Sequence, residues 1–296
     1  MTPLTTPIPW PAEALWQAIA PSLPGFTVEV LPEVDSSNSE LMRRFKGSPG
    51  VATRPEPLLL VAEQQSAGRG RLGRSWQGRR GDSLMFSLGL PLQPADWSGL
   101  SLAVGISVAE SLDPPAPGKP PRIGLKWPND LWLTTPQGEC KLAGILVETA
   151  LLEGIRYVVI GVGINIRPPL LPAAETPCDL DAPARRLIPP AGLQELDAGI
   201  DAAAALLRVV PPLVQVVQAF EQFGFAPFQA RFAARDVLAG RAVQLSDGSH
   251  GSAHGVAENG ALLVHTAAGM IAINSSEVSV RPVSAAAGHP QGTRPC

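Results

Sequence analysis

The chain has 296 residues and carries 23 cationic against 26 acidic side chains, a net charge of −3. It is 45% apolar, so it can bury a sizeable core and is too neutral for a generic polyanion binder. Three widely spaced cysteines, Cys140, Cys178 and Cys296, exclude a disulfide framework or a CxxC pair and point to a reducing compartment, the cytoplasm. Neither a cationic, apolar leader nor a run of about 18 apolar residues is present, so export and membrane spanning are not expected.

Apolar spacing between prolines predicts a short helix over Trp10 to Ala20. Alternation predicts a strand over Phe26 to Leu31, and a second short helix follows over Ser39 to Lys46. Between the last two lies Asp35-Ser36-Ser37-Asn38. Leu58 to Glu63 reads as a buried strand, residues 66–81 as a loop rich in Gly and Arg, and Asp82 to Leu92 as strand. Ser98 to Leu112 has helical spacing, with Ser98 as the expected N-cap. Strands are expected at Ile123 to Trp127, Leu131 to Thr134, Lys141 to Glu148 and Arg156 to Ile166, joined as an antiparallel meander.

Residues 167–198 read as a long connection, and Gly199 to Phe223 as a helix interrupted at Pro211-Pro212. Short apolar runs at 242–246, 254–257, 261–265, 270–273 and 278–281, separated by turn residues, predict a small all-β module of about 50 residues. DGSHGSAHG, which contains His250 and His254, reads as turn-forming, so a metal shared by these histidines is not expected. Ala286 to Cys296 has the composition of a disordered tail.

Gly68-Arg69-Gly70-Arg71-Leu72-Gly73 matches the letters of GxGxxG after a strand. Arg74-Ser75-Trp76-Gln77-Gly78-Arg79-Arg80-Gly81 follows it instead of a helix, so a dinucleotide site is not expected. Five arginines between Arg69 and Arg80 make a cationic flap able to hold a carboxylate or phosphate. The same loop could also touch nucleic acid without specificity, or stay solvated. Lys126-Trp127-Pro128-Asn129-Asp130 places polar groups where apolar ones belong, which marks either a site or a plain turn. Lys141 stands at the mouth of the buried run KLAGILVE, and Asn165 lies among the apolar residues of GVGINI, where it needs partners. Only four lysines stand against nineteen arginines, and two of the four, Lys126 and Lys141, fall in these strings.

Taken in order, DSSN from Asp35, EQQSAGRGRLGRSW from Glu63, KWPNDLW from Lys126, KLAGILVE from Lys141 and GVGINI from Gly161 resemble the biotin-protein ligases, over about 130 residues. The resemblance implies an α+β fold: a class II synthetase-like catalytic domain over residues 1–232, with a mixed central sheet and helices on one side. An SH3-like C-terminal barrel over 233–283 and a disordered tail over 284–296 would follow. It also implies two half-reactions, MgATP-dependent formation of biotinyl-5′-adenylate and transfer to a lysine of a carboxylase carrier domain, such as that of acetyl-CoA carboxylase.

On this resemblance, the biotin contacts fall on Ser36, Ser37, Asn38, Gln65, Arg69, Gly70, Arg71 and Lys141, and the ATP contacts on Arg74, Trp76, Lys126, Asn129 and Asn165. Arg71, Lys141 and Asp130 are the expected catalytic residues, with Asp130 positioning or deprotonating the incoming lysine. No protein metal ligand is assigned; biotin, ATP and Mg²⁺ are the expected small molecules. The chain ahead of Asp35 is too short for a winged helix, so no specific DNA binding is expected, and the protein would act as a monomer or homodimer away from membranes. Two alternatives stand: a lipoate or octanoate ligase or transferase on the same fold, and a non-catalytic nucleic-acid module using the arginine loop.

Overall fold

A computed structural model describes residues 7–46, 55–169, 188–246, 248–274 and 280–282. The expected tail and most of the expected long connection lie outside the described residues. The main sheet holds β1 (Thr27–Leu31), β2 (Leu58–Ala62), β3 (Ser83–Pro91), β4 (Ile123–Lys126), β5 (Asp130–Thr135), β6 (Gly138–Leu152) and β7 (Ile155–Asn165), in the order β1-β2-β3-β7-β6-β5-β4. The β1–β2 pair is parallel and the other pairs are antiparallel, so the sheet is mixed.

Strand side chains alternate in direction, so each strand feeds two faces. Leu59 and Val61 of β2, Leu84, Phe86 and Leu88 of β3, and Val158 and Ile160 of β7 face one layer. That layer contains α1 (Ala12–Ile19), α3 (Leu100–Leu112) and α4 (Ala202–Phe223), followed by the short α5 (Gln229–Ala233). The interleaved Leu60, Tyr157 and Val159 face the other side, where Leu41 and Phe45 of α2 (Ser37–Lys46) cover them. Helices therefore cover both faces rather than one side, because the strands beneath α2 are apolar on both.

Three local expectations change. Helix α3 starts at Leu100 behind Gly99, which sits in the left-handed region at φ 82°. Ser98 does not cap it, and its N–H donates instead to Asp96 Oδ1 at 2.8 Å. Helix α4 runs unbroken through Pro211 and Pro212. The carbonyls deprived of a helical donor belong to Leu207 and Arg208, both exposed, so water can satisfy them while the opposite face stays packed. By length and composition α4 could cross a bilayer, yet Leu206, Val209, Val210, Leu213 and Val217 are buried in the core. His250–Val256 is a strand rather than a turn, because it is paired on both edges.

That strand is β9 of a second, antiparallel sheet that also contains β8 (Ala242–Leu245), β10 (Leu262–Thr266), β11 (Gly269–Ile273) and β12 (Val280–Pro282). The two sheets are joined closely. Leu125 of β4 accepts from the Val237 N–H at 3.1 Å and donates to the Arg235 carbonyl at 2.7 Å. The fully buried Trp127 donates its indole N–H to the Gly260 carbonyl at 3.1 Å, and Arg241 pairs with Glu139 at 2.6 Å. Val243, Ala253 and Leu262 share one hydrophobic core with α3 and α4.

Candidate active site

On the α2 face, β3, β7 and β6 bring Ser87, Gly161 and Leu146 into register, and two residues along Met85, Gly163 and Gly144. Small residues there make a floor. A Cβ at Gly161 would lie 2.1 Å from Asn38 Oδ1, and one at Gly163 2.4 Å from Trp76 Cε2, so these two positions must stay bare for the side chains above to settle on the sheet. Over the floor opens a cavity roofed by the start of α2 and by the Arg/Gly loop.

One end is neutral and dense in hydrogen bonds. Helix α2 is started by Ser36, whose carbonyl accepts from the Glu40 N–H at 2.9 Å and whose Oγ accepts from the Ser39 N–H at 3.4 Å. This puts Ser37 and Asn38 in the first turn, over the floor. Gln65 Oε1 accepts from the Ser37 N–H at 2.8 Å. The Asn38 amide nitrogen donates to the Leu146 carbonyl at 3.1 Å and to Glu148 Oε2 at 3.0 Å, while Asn38 Oδ1 accepts from Ser87 Oγ at 2.7 Å. Ser36, Ser37, Asn38 and Ser87 are all buried.

The other end is cationic. The loop folds into a tight hairpin, with Gly70 N–H donating to the Arg74 carbonyl at 2.7 Å and Trp76 N–H to the Gly68 carbonyl at 2.8 Å. Leu72 and Gly73 turn at its tip, with φ of 55° and 69°. The hairpin lowers the Trp76 indole onto Gly144 and Gly163 and sets Arg69, Arg71 and Arg74 around the cavity. Arg69 pairs with Glu148 at 3.1 Å, and Lys141 pairs with Asp130 at 2.8 Å. Burial lowers the proton affinity of Arg71, which the charge of Asp130 counteracts. Burial also pushes the Lys126 ammonium down to about 8; Asp130 opposes the shift, and Lys141, Arg74 and Arg71 reinforce it.

The cavity thus gathers Ser36, Ser37, Asn38, Gln65, Arg69, Gly70, Arg71, Arg74, Trp76, Asn129, Asp130 and Lys141 of the residues expected from sequence. Two others do not line it. Lys126 sits behind Asp130 in a small adjoining recess, and Asn165 spends its amide on the Ala191 carbonyl at 3.1 Å. Asn129 has a structural duty as well, donating to the Ile145 carbonyl at 2.7 Å. Sequence reasoning missed Ser87 and Glu148. A lone hydroxyl in SLMFSLGL and a lone carboxylate closing KLAGILVE were the signals available.

Among the described residues no His or Cys side chain lines the cavity, so those present do not include the usual base or thiol of nucleophilic catalysis. Its chemistry is to hold a neutral, hydrogen-bonding head at one end and to concentrate positive charge on anions at the other. Among known proteins, the family model described as "Biotin/lipoate A/B protein ligase family" matches residues 33–165, and "Biotin protein ligase C terminal domain" matches 239–281. The bifunctional ligase/repressor BirA of Escherichia coli is 34% identical over 82% of this chain and 70% of its own length. The biotin–[acetyl-CoA-carboxylase] ligase of Paracoccus denitrificans is 30% identical over 84% of this chain and 98% of its own. A solved structure of the Aquifex aeolicus biotin protein ligase in complex with biotin and ATP superimposes with a TM-score of 0.63 at 27% identity, covering 86% of this chain and 99% of that one.

Proposed function

Since the chain belongs to the biotin protein ligases of the biotin/lipoate A/B protein ligase family, we infer that this cavity joins biotin to ATP and then to a protein lysine. The enzyme is an ATP-dependent biotin protein ligase. The observation that carries this reading is the polarity of the cavity: buried hydroxyls and amides at one end, where Arg69 is neutralised by Glu148, and Arg71, Arg74 and Lys141 toward the other.

In the first half-reaction a biotin carboxylate oxygen bonds to the α-phosphorus of ATP, and the bond to the β-phosphoryl oxygen breaks, releasing pyrophosphate. Two anions must meet, so the barrier falls when cations neutralise both and hold them in line. Arg71 and Lys141 are suited to the carboxylate and α-phosphate, and Arg74 and Lys126 to the phosphates beyond. Trp76 supplies a flat face for the nucleobase. Mg²⁺ enters with the ATP substrate, where it offsets triphosphate charge. In the second half-reaction a neutral lysine amine attacks the mixed anhydride carbonyl. AMP leaves with the bonding pair, and the amine gives up a proton. Asp130 is the group we assign to orienting or deprotonating that amine, a reading supported by its pairing with Lys141 at 2.8 Å. The acceptor is a carboxylase carrier domain, met in the cytoplasm.

Purified protein with MgATP and an apo carrier domain, offered biotin or lipoate, tests the reading. Biotin-dependent exchange of pyrophosphate into ATP and a biotin-sized mass gain on the carrier are expected; transfer of lipoate without biotin overturns it.

A further inference from the structure

Ser87 lies on β3, is fully buried, and turns its hydroxyl to Ser37 and Asn38, both among the residues expected for biotin. Its Oγ is 2.7 Å from Ser37 Oγ and 2.7 Å from Asn38 Oδ1. A hydroxyl has one proton and cannot donate to both. The direction of each bond follows from the surroundings. Asn38 must turn its amide nitrogen toward the Leu146 carbonyl and the Glu148 carboxylate, because the flipped amide would set its oxygen against two acceptors. Asn38 Oδ1 therefore faces Ser87 and can only accept. The Ser87 proton goes to Asn38, and the second short contact requires the Ser37 hydroxyl to donate to Ser87.

The chain of protons runs Ser37 to Ser87 to Asn38, anchored at its far end by the Glu148 carboxylate, which Arg69 holds at 3.1 Å. Ser37 also lines the cavity, and once its hydroxyl proton is committed to Ser87 its oxygen has only lone pairs to offer a ligand.

We propose that Ser87 is a positioning residue for substrate choice: it fixes the Ser37 hydroxyl as an acceptor, so that the neutral end of the cavity selects a ring N–H donor. This deepens the biotin reading and rests on it. The ureido ring of biotin offers such N–H groups, whereas a dithiolane ring such as that of lipoate offers none. Without Ser87, the remaining protein acceptor for the Ser37 proton is Gln65 Oε1 at 3.4 Å, a long contact already served by the Ser37 N–H at 2.8 Å, so the hydroxyl can also turn toward the cavity and an acceptor on the ligand gains ground against a donor.

The experiment compares biotin with its two cyclic carbamate analogues, in each of which one ureido N–H is replaced by a ring oxygen. Wild type, Ser87→Ala, Ser37→Ala and the double variant are assayed by pyrophosphate exchange. In Ser87→Ala the biotin KM is expected to rise about tenfold with kcat and the ATP KM within about threefold. The preference for biotin over the carbamate that wild type rejects should fall about tenfold, and adding Ser87→Ala to Ser37→Ala should cost nothing more, since Ser87 acts only through the Ser37 hydroxyl. An unchanged preference, or additive losses in the double variant, overturns the proposal. If Ser87→Ala does not fold, Ser87→Cys, close in size with a weak donor, is held to the same ratio. Wild type lacking biotin-dependent exchange refutes the functional reading itself, whereas active wild type with an unchanged preference in the variants refutes only the role of Ser87.

Discussion

Lys126 is almost fully buried, and its ammonium is pushed from 10.5 to about 8, chiefly by loss of water. That gap corresponds to about 3 kcal/mol, at about 1.4 kcal/mol for each tenfold change in proton affinity. Between pH 8 and 10.5 the unfolded chain keeps a proton that the fold has released, so stability rises with pH across this window. Below pH 8 both states are protonated and the cost is present in full. Replacing the side chain by a neutral one of similar length, Lys126→Met, removes the cost. The variant should therefore be more stable than wild type by up to about 3 kcal/mol at pH 7, and the advantage should vanish by pH 10.5. Urea unfolding of both proteins at pH 7, 8, 9, 10 and 10.5, followed by tryptophan fluorescence, reads the difference. The other lysines are common to both chains and cancel. The same variant should lose most adenylate formation, since it lacks the charge meant for the phosphates. A stability difference that does not change between pH 8 and 10.5, or a variant weaker than wild type at pH 7, refutes the reasoning.

Gly163→Ala would place a methyl 2.4 Å from Trp76 Cε2, so the indole must lift. The expected result is a rise of roughly 5- to 150-fold in the ATP KM, matching about 1–3 kcal/mol of overpacking, read by initial rates, with tryptophan emission shifted to the red. Asp130→Asn removes the partner of Lys141 and the negative charge that favours the Lys126 ammonium. Lys126 should then release its proton at lower pH, so the pH profile of pyrophosphate exchange should lose its alkaline limb earlier than wild type. Pro212→Ala returns a donor to the Arg208 carbonyl and should stabilise α4 by about 1–2 kcal/mol, with activity unchanged, as a denaturant midpoint and a turnover assay would show.

Strands, their turns and the ligand-facing strings were legible because period-two alternation and glycine placement are local signals. The positions beyond them depend on what packs against the chain. Pro211-Pro212 ends an isolated helix, but here the two prolines fall on the exposed side of a helix held by core contacts along its other face. Ser98 has the chemistry of a cap, yet Gly99 alone fits the left-handed entry to α3. Ser87 was hidden because one hydroxyl in an apolar strand has no meaning until α2 sets Ser37 and Asn38 above it. Asn165 is the converse case: a buried amide within a motif, whose partners in the fold are the Lys141 and Ala191 carbonyls. Lys126 likewise belongs to the neighbourhood of the cavity through charge rather than contact.

The bond from the Trp127 indole to the Gly260 carbonyl bears on how the protein can be taken apart. Trp127 adjoins the turn that carries Asn129 and Asp130, and its fully buried ring is roofed by the C-terminal sheet. Severing the chain at residue 232 would uncover that ring, orphan its donor, and strip β4 of the 235–237 segment zipped along its edge. A minimal catalytic fragment would thus lose the wall behind its own reacting groups. Shuffling C-terminal sheets between relatives would require carrying the Gly260 turn along with them.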